Sequence, residues 1–314
     1  MVSGKGGAGK TTVAAALAIA LARDGRRILL VEVEERQGLA QVLDVAPISY
    51  EERHVATAPG GGEVMALAVD PHEALMEYLA IYYKMRRAGK TLERIGAVDF
   101  ATTVAPGLRD VLLTGKVFEA VRRHEDGSFV YDAVVVDAPP SGRITRFLGV
   151  STDVAGLAKV GPIHNHAQAI TKLFRSHRTA VHLVTLLEEM PVQETIDTVD
   201  ALWRAKFPVG AVVINATRPR VFRHRDLLAI REHQIDPAAV AKELASVGVD
   251  DQAAATMLLA EGDDYAERRV LQRRARRALE RLGRPTFDLP LLEGGIDVAA
   301  VHELAGELRS QGAA

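Results

Sequence analysis

Six short runs along the chain are apolar almost without interruption: RILLVEVE, VMALAVD, YDAVVVDAP, AVHLVTLLE, GAVVINAT and PTFDLPLL. Strands that bury both faces inside a parallel sheet read this way, whereas a half-exposed strand alternates. Helical patterns separate the runs, so the chain predicts a doubly wound α/β architecture with a mostly parallel sheet. Val2 and Ser3 have the character of a strand end, yet a central strand of about five or six residues is usual. Either the native start lies upstream or this first strand is unusually short. More helix than the connections need falls near 71–123, 152–177 and 218–282. These insertions predict a helical layer over the carboxyl ends of the strands, where ligands of such sheets bind. PGGG at 59–62 reads as a turn from a helix into a strand. No linker or repeat divides the chain, which predicts one domain over 1–314.

The opening MVSGKGGAGKTT breaks the pattern, because four glycines in six residues lower helix and strand propensity alike. Gly4, Lys5, Gly6, Gly7, Ala8, Gly9, Lys10 and Thr11 fit G-x-x-x-x-G-K-[ST], the phosphate-binding loop. With Thr12 they run directly into the apolar helix that the motif needs. Glycines let successive backbone N–H groups converge on an anion, helped by the dipole of the helix starting near Lys10. Lys10 then reaches the β- and γ-phosphates, and the Thr11 hydroxyl ligates Mg²⁺. Such a site needs a carboxylate at the end of a neighbouring strand, and YDAVVVDAPPSG supplies Asp137. Alone, Asp137 reads as a cap or turn residue; beside a phosphate loop it reads as the holder of Mg²⁺ through water. ATP and Mg²⁺ are the expected ligands.

Composition removes other classes. At 48% hydrophobic and 25% charged, the chain is an ordinary soluble globular protein. Its 39 basic and 41 acidic residues give a net charge of -2, so no global field favours nucleic acid or membrane. There is no cysteine, which excludes disulfides, thiolate zinc sites, cysteine-held iron–sulfur clusters and a cysteine nucleophile. The longest apolar stretch, VAAALAIALA, is about half a membrane span, and no secretory signal precedes it. A cytoplasmic protein is expected. The basic segment ERRVLQRRARRALERLG places Leu271, Ala275, Ala278, Leu279 and Leu282 on one apolar stripe, and reads as a solvated amphipathic helix rather than a nucleic-acid site. HNH at 164–166 lacks a carboxylate or third histidine at ligand spacing and is not expected to hold a metal.

An ordinary phosphate loop does not need Lys5. GKGGAGKT resembles the deviant Walker A of the ParA/MinD-like NTPases, whose extra lysine reaches across a dimer to the partner's nucleotide. Downstream, DAPPSGRITRFL at 137–148 is similar to DTAPTGHTLRFL of the arsenite-pump ATPase ArsA and its relatives that target tail-anchored proteins. The shared residues are Asp137, Pro140, Gly142, Arg146, Phe147 and Leu148. APGLRD resembles that family's PGxxE helix start, with Asp110 in place of glutamate. Asn215 in VVINA matches the asparagine that reads adenine, and Pro290 in LPLL matches the loop that covers the base. LLEEMPVQET resembles the family's PExLxxxET. The flavour is that of the actinobacterial ArsA-like anion-transporting ATPases, which occur as a pair of different subunits.

The resemblance implies a Mg²⁺-dependent ATPase that works as a dimeric switch, with itself or with a paralogous subunit. The switch couples nucleotide state to an anion-transport or membrane-protein-targeting partner, and nucleic acid has no part in it. It also implies roles for Lys5 in stabilising transition-state charge and for Glu34 in orienting water. Glu34 departs from the family: the first switch STDPAHN is EVEERQG here, and its aspartate has become a carboxylate one methylene longer. Catalysis responds to shifts of about 1 Å, so hydrolysis is expected to be slow or partner-dependent. The histidine of PTGHT is Arg143. Without cysteine, both the metalloid site and the paired-cysteine zinc site of relatives are lost. With six Met in the chain, the methionine-rich groove of the targeting factors is at best reduced. Two alternatives remain: a subunit that binds ATP and regulates a paralogue, and a MinD/ParA-like positioning ATPase. The second wants a basic, apolar terminal helix, whereas DVAAVHELAGELRSQGAA is acidic and alanine-rich. A nitrogenase-type iron protein is excluded by the absence of cysteine.

Overall fold

The computed structural model describes residues 1–34, 36–83, 106–157, 162–249 and 251–313. The six apolar runs form β2 (Arg27–Glu32), β4 (Glu63–Ala68), β7 (Ala133–Asp137), β8 (Val181–Thr185), β9 (Val209–Thr217) and β10 (Thr286–Pro290). They join β1 (Val2–Gly4) and β3 (Arg53–Thr57) in one eight-stranded sheet of order β10-β9-β8-β1-β7-β2-β4-β3. Every neighbouring pair is parallel except β3–β4. A small ribbon of β5 (His124–Glu125) and β6 (Ser128–Phe129) stands apart. β1 is three residues long and central, pairing β7 on one side and β8 on the other. The glycine loop therefore leaves the sheet where the winding changes direction, the place where open α/β sheets bind ligands.

PGGG does not follow a helix. It joins β3 to β4 in a hairpin, with Gly60 and Gly61 at φ 91° and 84°. β3 escapes an apolar-run search because it is an edge strand whose residues are mostly half-exposed or exposed.

One face of the sheet carries α1 (Lys10–Leu21), α2 (Gly38–Val42) and α11 (Val298–Ser310). Thr12 to Ala20 are buried on α1 without exception, because the helix is sandwiched between the sheet and α11. Its alanines let both approach closely. The other face carries α4 (Pro106–Arg122), α5 (Ser141–Leu157), α6 (Pro162–Phe174) and α7 (Glu189–Arg204), around Leu113, Phe147, Leu148, Ile170 and Phe174. Much of the helix expected over the carboxyl ends is thus core packing on this face. α3 (Pro71–Tyr83) packs beside α4, and the segment between them, 84–105, lies outside the described residues.

The third helical stretch comprises α8 (His224–Arg231), α9 (Pro237–Ser246) and α10 (Gln252–Glu280). At 29 residues α10 is about 43 Å long, more than twice a typical strand. Its carboxyl half lies on the sheet through Ala275, Ala278 and Leu279, joined by Leu282 just past its end, while Ala266 and Tyr265 pack against α8. Leu271 departs from the expected stripe: it is 61% exposed where Leu279 is 0%. It sits between the two packed patches. His166 is a packing residue, edge-on to Phe118 at 5.3 Å. Among the described residues no helix is long and apolar enough to cross a membrane.

Candidate nucleotide site

The glycine loop is held by two distant strands. Gly4 has φ 149°, and a Cβ there would fall 2.1 Å from the Val184 carbonyl oxygen on β8. Gly9 has φ 89°, and a Cβ there would fall 2.3 Å from Asn215 Nδ2. That nitrogen donates to the Ala8 carbonyl at 2.9 Å, so Asn215 buttresses the loop from the end of β9. Within the loop the Ala8 N–H donates to the Lys5 carbonyl (3.2 Å), and Gly7 has φ 82°. The three positive-φ glycines are the positions at which a side chain would strain the backbone. α1 then starts at Lys10 with Gly9 as its cap, which aims its amino-terminal dipole at the loop's mouth. Among the described residues neither Lys5 nor Lys10 forms an ion pair.

Beneath the loop, the Thr11 hydroxyl donates to Asp137 Oδ2 at 2.7 Å. Asp137 ends β7, and Val2 and Glu32 sit beside it in register on the flanking strands. Its other oxygen, Oδ1, is buried with no hydrogen-bond partner. Burial pushes the Asp137 pKa up to about 6, against the pull of the Thr11 hydrogen bond and the Lys10 charge; Glu32 and Glu34 add to the rise. A buried, orphaned carboxylate oxygen beside a hydroxyl suits a hard divalent cation. Thr11 and Asp137 would serve such an ion directly or through water, and Mg²⁺ characteristically takes most of its ligands from water and substrate phosphate.

The segment after β2 is organised by Glu32, a residue that sequence reasoning passed over. Buried at the strand's end, its Oε1 accepts from the Arg36 and Gly38 N–H groups (3.0 and 3.1 Å) and Oε2 from Leu39 (3.2 Å). A carboxylate closing an otherwise apolar strand was the available signal. Gln37 fixes the same turn, exchanging two hydrogen bonds with the Ile48 backbone. Glu34, 20% exposed, meets Arg143 at 3.6 Å, and Arg143 also meets Asp110 at 3.8 Å. Three departures scattered through the sequence are therefore one cluster, joining the β2 segment to α4 and α5. Burial raises the Asp110 pKa while Arg143 opposes it.

The 138–141 segment is tethered at both ends. Ser3 Oγ donates to the Pro139 carbonyl (2.6 Å), and the Ser141 hydroxyl donates to Glu194 on α7. Pro290, at the end of β10, lines a cleft of about 420 Å³ with Thr217, Pro219, Leu291, Leu292 and Glu303. Asn215 does not line that cleft.

Residues 1–176 match the family described as anion-transporting ATPase. The chain is 47% identical over 314 residues to ATPase BagA of Mycobacterium tuberculosis, covering 99% of this chain and 92% of that protein. It is 28% identical over 258 residues to the arsenical pump-driving ATPase of Acidiphilium multivorum, covering 76% of this chain and 42% of that one. It is 26% identical over 197 residues to ATPase get3 of Neurospora crassa, with coverage of 62% and 56%.

Proposed function

This chain belongs to the anion-transporting ATPase family, and from that membership we propose that it binds ATP with Mg²⁺ and hydrolyses it as one half of a nucleotide-driven dimer. The observation that carries the reading is the Thr11–Asp137 pair, with its orphaned carboxylate oxygen, directly beneath a positive-φ glycine loop. The loop amides and Lys10 hold the phosphates. Thr11 and Asp137 serve Mg²⁺, which when bound neutralises charge on the β- and γ-phosphates. Asn215 gives one amide N–H to Ala8, and its carbonyl remains to accept from the adenine amino group, while Pro290 flanks the base from the neighbouring cleft. Glu34 orients the attacking water. Lys5 stabilises transition-state charge at the partner subunit's nucleotide. The nucleotide cycle drives an anion-transport or membrane-protein-targeting partner, either through a homodimer or through a heterodimer with a paralogue.

Mixing subunits tests this. Lys5→Ala and Lys10→Ala proteins, each inactive alone, should regain hydrolysis together, since an intact Lys10 site then receives Lys5 from its neighbour. In a heterodimer the recovery appears only with the paralogue. Full hydrolysis by a monomeric Lys5→Ala protein would reject the trans role.

The Glu34–Arg143 contact favours a second reading. A water-orienting carboxylate tied to a guanidinium suits a subunit that binds ATP and hydrolyses it only when a paralogue rearranges that pair. Single-turnover hydrolysis with and without the paralogue separates the two. The positioning-ATPase reading loses support, because Val301, Leu304, Ala305 and Leu308 of α11 are already buried in the α1 core.

A further inference from the structure

The basic stretch of α10 has a partner other than solvent. Arg269, Arg273 and Arg276 recur at helical spacing on one face and are half-buried. With Arg218 and Arg220, from the segment after β9, they line a cleft of about 290 Å³. Tyr265 fastens that segment to the helix: its hydroxyl accepts from the Val221 N–H (3.2 Å) and donates to the Pro219 carbonyl (3.4 Å), while Phe222 packs edge-on to its ring. Arg273 Nη1 donates to His224 Nδ1 at 3.3 Å. Both walls of the cleft are therefore held in place.

The charge in this cleft is unbalanced. Its lining includes five arginines and one carboxylate, Asp288. Asp288 is occupied by Arg276 in a two-pronged pair at 2.5 and 2.9 Å. Among the described residues Arg269 bonds to the neutral Gln272 alone (2.9 Å), and Arg218 and Arg220 form no ion pair. Four guanidiniums thus converge without a counter-charge, an arrangement that repels itself unless an anion joins it. Guanidinium forks match phosphate oxygens two at a time. A cleft of about 290 Å³ is sized for a small anion, the chain's net charge of -2 supplies no wider field for nucleic acid, and four uncompensated charges suit a ligand carrying three or four negative ones. We propose that this cleft binds a small molecule bearing two linked phosphate groups.

The cleft is separate from the glycine loop and adjoins the cleft beside Pro290. α10 packs on the sheet face that presents Val212 and Ile214, whereas α1 and α11 pack on the face that presents Val213. Only residues 217–219, at the rim of the sheet, line both this cleft and the one beside Pro290. The proposal does not depend on the ATPase reading.

Pyrophosphate without Mg²⁺ is the probe, titrated by calorimetry into the full chain carrying Lys10→Ala, which silences the glycine loop. One binding site is expected. Adding Arg269→Ala with Arg273→Ala should weaken it at least tenfold, and so should Arg218→Ala with Arg220→Ala on the exposed segment, whose loss leaves the helix intact. Thermal melting checks that each variant folds. Raising KCl from 50 to 300 mM should weaken binding about tenfold or more, as several exposed cations require. Citrate should bind at least tenfold more weakly than pyrophosphate; equal binding overturns the phosphate assignment. No heat from the Lys10→Ala protein, or affinity unchanged in both arginine variants, overturns the site.

Discussion

At the glycine loop an anion would meet backbone N–H groups, with Lys10 adding charge from the first turn of α1; in the α10 cleft it would meet four guanidiniums that no carboxylate occupies. The loop owes its shape to the Val184 backbone against Gly4 and to one short side chain, Asn215, which abuts Gly9 and ties down Ala8. Arginine forks instead carry several rotatable bonds each, and ordering them costs entropy. The loop is preorganised and selects a geometry. The cleft is more adaptable and draws most of its affinity from charge. Salt should therefore separate them, with affinity in the cleft falling far more steeply than affinity at the loop.

Removing the loop's charge should have the largest effect. Lys10→Ala should lose at least about a hundredfold in ATP affinity, because the cation proposed to face the β- and γ-phosphates is gone. Calorimetry giving unchanged affinity would mean that the loop is not the phosphate site. Next comes the loop's shape. Gly9→Ala puts a methyl at φ 89°, where it meets the Asn215 amide, at a cost of about 1–3 kcal/mol. ATP binding should weaken roughly ten- to a hundredfold, while pyrophosphate binding in the α10 cleft stays as it was. Parallel losses at both places would show that the two regions are one.

A smaller effect is expected at the cluster beside the loop. Arg143 is 57% exposed, so its pair with Glu34 is worth under about 1 kcal/mol. Arg143→His should speed single-turnover hydrolysis by no more than about fivefold and leave ATP affinity alone. A slower reaction would make Arg143 a helper of Glu34 rather than its restraint. The smallest effect belongs to α10 itself. Leu271→Glu should change stability by less than about 0.5 kcal/mol, whereas a substantial drop in melting temperature would restore Leu271 to the packed stripe.

The same contrast decides what could be read in the amino-acid order. The loop was legible because its chemistry is written contiguously, eight residues running into a helix. The parallel sheet was legible because strands buried on both faces repeat a single apolar signature. Asp137 followed from its place at the end of such a run. Glu34, Asp110 and Arg143 each stood out, but their meeting depends on how α4 and α5 dock on the sheet, which no local pattern encodes. The hydrogen bond from Asn215 to Ala8 spans 207 residues and is equally invisible. In α10 the arginine face was visible and its reading was incomplete, since the opposing wall comes from Arg218 and Arg220. β3 was missed because an edge strand of alternating exposure resembles any polar connection.

The length of those tethers also sets an order of events during synthesis. Thr11 waits for a partner 126 residues further along, and Ala8 for one 207 residues away. At about 5–20 residues per second, roughly 10–40 s pass between making the loop and making the asparagine that braces it. Throughout that interval α1, apolar on every side, has neither the finished sheet nor α11 to cover it. Contacts so far apart form late. A nascent chain of this protein therefore carries a partly uncovered apolar helix until its later strands and α11 are made, and anything that shields that helix serves its folding before nucleotide can.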